Sequence, residues 1–139
     1  MKRLLAIALI AAAPAMAQED EDATYQITGL KPDFAVKLAQ AAMSYCRENG
    51  YQVGVAVTDR VGTLQVFMRD RFAGTHTVET AYRKAWTAVS FRTNTMELDE
   101  VTKPENEAYG IRFISQALPL GGGVMIESGG SMIGAVGVS

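Results

Sequence analysis

The chain has one histidine, His76, and one cysteine, Cys46, and this scarcity limits its chemistry before any element is placed. A zinc centre draws on several imidazoles and thiolates, so a single residue of each kind cannot build one. A nucleophilic triad would have to rest on His76, and no Gly-x-Ser-x-Gly turn accompanies it. Cys46 sits beside a run of apolar residues with nothing close in sequence to lower its pKa, which makes it a packed thiol and not a nucleophile. The carboxylates Asp99, Glu100, Glu105 and Glu107 fall in polar, broken sequence and read as solvated surface. Arg83 and Lys84 are adjacent; on a helix they point about 100° apart, so they cannot both be buried. One can meet a carboxylate, either a ligand's or that of Glu79 four residues earlier. Gly121-Gly122-Gly123 lets a backbone or a flat ligand approach closely. It lacks the Lys-Ser/Thr of a phosphate loop and does not open a helix, so nucleotide binding is not expected.

The elements that must position these residues follow from periodicity. Over residues 32–49, Phe34, Leu38, Ala41, Ala42 and Tyr45 recur at helical spacing, with Pro32 suited to the first turn and Gly50 to the end. Residues 51–58 and 63–69 alternate apolar and polar around the turn Asp59-Arg60-Val61-Gly62, which predicts a hairpin with Met68 on its core face. A second helix carries the stripe Val78, Ala81, Tyr82, Ala85, Ala88 and Val89, with Thr75 or Thr77 as its cap and His76 on the preceding loop. Trp86 lies beside that stripe and reads as packing or subunit interface. Short helices are expected around residues 95–101 and 105–116. A second hairpin, residues 124–126 and 132–138 about Ser128-Gly129-Gly130, completes the pattern. Two hairpins separated by helices predict an α+β domain, an antiparallel sheet with helices on one face.

With 13 basic and 15 acidic residues the net charge is −2, which gives no electrostatic ground for a nucleic-acid partner. The amino terminus has the three parts of a secretory signal: Lys2-Arg3, an apolar run, then Ala15-Met16-Ala17. We expect residues 1–17 to be removed, residues 18–29 to form an acidic leader in which Tyr25-Gln26-Ile27 can add a short edge strand, and the domain to span 30–139. That places the protein in the periplasm or outside the cell, with no membrane association after cleavage. A lone cysteine permits no internal disulfide there. The sequence stops at Ser139 directly after an apolar strand, without polar fraying, and we expect a further segment beyond it.

Four stretches taken in order resemble the GlcG/HbpS family of haem-binding or haem-degrading domains: Val53-Gly54-Val55-Ala56-Val57-Thr58-Asp59 with Gly62; Ala81-Tyr82-Arg83-Lys84-Ala85-Trp86-Thr87-Ala88; Leu120-Gly121-Gly122-Gly123; and Ile133-Gly134-Ala135-Val136-Gly137-Val138-Ser139. The resemblance implies a profilin-like antiparallel sheet with flanking helices, a homo-oligomer, and a final helix that this sequence lacks. It also implies haem, held non-covalently because no Cys-x-x-Cys-His is present. His76 is then the candidate axial ligand and metal-binding residue. Thr87 and Thr95 are second candidates, because some members are thought to use a threonine oxygen. Arg83 and Lys84 are candidates for the propionates. No catalytic residue is expected. The other function the resemblance offers is an oligomeric accessory or small-molecule binding domain for glycolate-type metabolism, without haem.

Overall fold

The computed structural model describes residues 23–139; the expected signal lies outside the described residues, as does the first part of the leader. From Thr24 to Lys31 the chain is irregular, and the edge strand considered at Tyr25 does not form. Helix α1 (Pro32–Glu48) follows, started by Pro32 in its first turn and left through Gly50. At its end Tyr51 N–H donates to the Cys46 carbonyl at 2.9 Å and Gly50 N–H to the Arg47 carbonyl at 3.0 Å, which satisfies carbonyls the helix itself cannot.

Strands β1 (Gly54–Asp59) and β2 (Leu64–Arg69) form the first hairpin, and β3 (Gly123–Ser128) and β4 (Ser131–Val138) the second. Between them lie α2 (Thr77–Phe91), α3 (Thr95–Val101) and a 3-10 turn, Glu107–Phe113. The sheet is antiparallel throughout, in the order β2-β1-β4-β3. The two hairpins meet along β1 and β4, where Val55 pairs with Val138 and Val57 with Val136.

Because paired residues share a face, this register sorts the core into two layers. Val55, Val57, Val66, Met68, Val136 and Val138 face α1, which buries Ala35, Ala39 and Met43 against them. The alternate residues Ala135 and Gly137 face α2, which presents Ala81, Ala85, Ala88 and Val89. The contact is close: a β-carbon on Gly137 would stand 2.0 Å from the Ala81 carbonyl oxygen. The expected α+β sheet of two hairpins with flanking helices is present, with one correction: the helices cover both faces. The small residues of β4 make a second packing surface that apolar alternation on β1 and β2 does not reveal.

Candidate functional site

Helix α2 carries most of the residues singled out from the sequence, and the structure assigns them three different environments. His76 stands at its N-terminal boundary, exposed, and donates no side-chain cap. Instead Thr77 Oγ1 donates to the Gly74 carbonyl at 2.7 Å and Thr80 Oγ1 to the His76 carbonyl at 2.9 Å. Thr75 and Thr77 therefore do not cap the helix as expected; the hydroxyls turn back to carbonyls.

Arg83, Lys84, Thr87 and Thr95 come together, but around main-chain atoms. Thr87, fully buried, accepts the Leu118 N–H at 2.8 Å, and Thr95, also fully buried, accepts the Gly123 N–H at 2.7 Å. Arg83 donates to the carbonyls of Gln116 and Ala117 and pairs with Glu79 at 3.2 Å, the i,i+4 partner named above. Lys84 is buried, 6% exposed, and donates to the Val138 carbonyl at 3.0 Å. Burial pushes its pKa below the usual lysine value. Arg83, Lys84 and Thr87 thus fasten residues 116–118 and the end of β4 to α2, and Thr95 fastens Gly123 to the start of α3. Val78, assigned to the buried stripe, is exposed, and the polar Thr77, Lys84 and Thr87 are buried, bonded to Gly74, Val138 and Leu118 respectively.

Cys46 is half-buried on α1, its pKa raised by burial and then by the Asp70 carboxylate. Asp70 itself is held below its ordinary value, first by the hydrogen bond from Arg47 at 2.7 Å. Neither residue reaches α2's face of the sheet. Among the described residues no group of three or more His, Cys, Asp and Glu could hold a metal ion, and no helix is long and apolar enough to cross a membrane.

The concave surface lies at the opposite end of α2, away from His76. A cavity of about 360 Å³ opens between the β1–β2 turn, the last turns of α2, the start of β4 and the segment before α1. Its apolar wall is Ile27, Val61, Trp86, Val89 and Met132, and its two charges are Arg60 and Arg92. A second hollow of about 330 Å³ adjoins it, sharing Arg60, Arg92 and Met132 and adding Met125 and Glu127.

Each part of this groove is positioned by an identifiable constraint. The Asp59 carboxylate accepts the N–H groups of Val61 and Thr63, both at 2.9 Å, which closes the turn that carries Arg60. Tyr82 Oη donates to the Gly62 carbonyl at 3.2 Å, tying that turn to α2. Trp86 lies directly over Gly62, whose φ is +86°. Arg92 ends α2 in the left-handed conformation, φ +50°, the only non-glycine residue with positive φ among those described. Such a backbone costs about 1–2 kcal/mol for a residue with a β-carbon, and strain of this kind concentrates at binding sites. Among the described residues neither Arg60 nor Arg92 is ion-paired or hydrogen-bonded through its guanidinium.

Sequence reasoning recognised the turn holding Arg60 and the helix preceding Arg92, but not their convergence, which arises only when β1 pairs with β4 beneath α2. The left-handed residue at Arg92 left no signal, since glycine or asparagine usually marks such a position.

Two layers of helix about a four-stranded antiparallel sheet, with a groove at one end of the longer crossover helix, define a profilin-like α+β domain. The chain belongs to the family described as "Haem degrading protein HbpS-like", whose model matches residues 30–139. A double mutant of HbpS from Streptomyces reticuli superposes with a TM-score of 0.80 at 35% identity, over 94% of this chain and 86% of that one. A PduOC:heme complex superposes with a TM-score of 0.76 at 32% identity, over 81% and 83%. The corrinoid adenosyltransferase PduO of Salmonella typhimurium is 34% identical over 105 residues, 74% of this chain but only 31% of the length of PduO.

Proposed function

We propose that this protein is an exported haem-binding protein that holds haem non-covalently in the groove between Arg60 and Arg92, in a capture or sensing role, with any haem degradation slow. The observation that carries the reading is the pairing of an apolar wall with two guanidinium groups that have no carboxylate of their own among the described residues. Haem is flat, apolar on both faces, and carries two carboxylates at one edge. Burying the faces against Trp86, Val89 and Val61 is favourable at roughly 25 cal/mol per Å² of apolar surface, and guanidinium forks match carboxylates. The family membership and the haem complex of PduOC support the same ligand class.

When bound, haem supplies iron and oxygen chemistry; the residues here orient the ring and exclude water from one face. A two-carbon hydroxy acid would leave most of a groove of about 360 Å³ wet, so glycolate itself is a poor occupant; an oligomeric accessory or small-molecule binding domain associated with glycolate-type metabolism, without haem, is the alternative reading. Export rests on the charged, apolar and small-residue parts of residues 1–17. Self-association is favoured by Val124, an exposed apolar residue on the edge strand β3.

Titration of the purified protein with hemin, followed by absorbance, tests the reading. A shifted Soret band saturating at one hemin per chain is expected. Free-hemin spectra throughout would overturn it.

A further inference from the structure

Resting on that reading, we propose that the groove recognises a tetrapyrrole by its two carboxylates and its flat face and not by its central metal, so that metal-free and metal-substituted porphyrin dicarboxylates are ligands equal to haem.

The lining has no imidazole, thiolate or carboxylate in its principal cavity. Three side chains there could offer an atom to iron. Ser90 offers a hydroxyl, a neutral donor weaker than an imidazole or a thiolate, exposed on the last turn of α2. Met132 offers a thioether, a soft donor with little preference for ferric iron. Tyr25 offers a phenol, but its side chain is 84% exposed. Residues 23–29 make no backbone hydrogen bond to the rest of the described chain, so no ladder holds that phenol over the groove. The strong donors lie outside this cavity, the Glu127 carboxylate in the adjoining hollow and the others farther away. His76 precedes Trp86 by about 15 Å along the helix axis, and Cys46 belongs to α1 on the other face of the sheet.

What the groove does hold in place is the machinery for carboxylates and a ring. Arg60 sits on a turn closed by Asp59, and Arg92 on a fixed left-handed residue. Trp86 packs directly on Gly62. The affinity therefore resides in charge-assisted hydrogen bonds and apolar burial, both indifferent to the metal.

The experiment compares hemin, zinc protoporphyrin, metal-free protoporphyrin and protoporphyrin dimethyl ester as quenchers of Trp86, the one tryptophan of the chain. The three dicarboxylates are expected to bind within about threefold of one another, and the diester at least about tenfold more weakly. In Arg60→Gln/Arg92→Gln protein the difference between diacid and diester should collapse, a result that a purely structural role for the arginines would not give. Metal-free protoporphyrin binding more than about tenfold below hemin would overturn the inference while leaving haem binding intact. Equal binding of the diester would overturn it too. Failure of all four, hemin included, would remove the parent reading with it.

Discussion

Trp86 and Gly62 are in such close contact that a β-carbon added to the glycine would lie 2.8 Å from Cδ1 of the indole. The pair joins the floor of the groove to the turn that carries Arg60, and it makes the groove a property of two hairpin-forming segments and a helix at once. Gly62→Ala is therefore expected to cost about 2 kcal/mol, from positive φ and from displacement of the ring. Urea unfolding monitored by Trp86 emission measures the loss, and a shifted native emission maximum reports the displaced indole.

Arg92 separates stability from binding. Replacing it by glycine relieves the left-handed backbone at φ +50° and removes a guanidinium from the groove. Arg92→Gly should raise stability by about 1 kcal/mol and weaken hemin about tenfold. Thermal unfolding and hemin titration of the same protein check both signs; weakened binding without the gain in stability would show that the backbone there is unstrained.

Thr95 and Thr87 act through buried amides. Thr95→Val keeps the shape but leaves the Gly123 N–H without its acceptor at 2.7 Å, and Thr87→Val does the same to Leu118. Each should cost about 1–3 kcal/mol, with hemin binding unchanged once the protein is folded. Denaturant midpoints read the cost, and a loss of the Soret shift in folded protein would instead make these hydroxyls part of the haem site.

Acid stability should depend on Asp70. Its pKa lies below its ordinary value of 3.8 because Arg47 and the Val53 N–H favour the carboxylate. A depressed carboxylate stabilises the fold above its unfolded value, and that contribution is lost as pH falls through the folded one. Asp70→Asn should therefore flatten the stability profile below pH 4 or so, measured as the melting temperature against pH. An unaltered profile would assign the acid limb to other groups.

The sheet was legible because Val53, Val55 and Val57, and then Leu64, Val66 and Met68, alternate with no competing helical period. Helix α1 was legible because Pro32 and Gly50 punctuate it. The buried face of α2 was not, since Lys84 and Thr87 are buried by the needs of distant backbone groups and Thr77 by the Gly74 carbonyl of the turn before the helix, and hydropathy carries no record of which backbone group will need a partner. The positions of His76, Arg83, Lys84, Thr87 and Thr95 on or beside one helix were readable; that three of them serve residues 116–123 and Lys84 the end of β4 was not. Arg60 and Arg92 escaped notice because convergence of two surface arginines is a tertiary event.

The most direct test is the position of iron itself. In crystals of the hemin complex, the anomalous iron signal is predicted in the groove bounded by Trp86, Arg60 and Arg92, with the propionates against the two guanidinium groups. A signal bonded to His76 at the other end of α2, with the groove empty of porphyrin, would contradict the account.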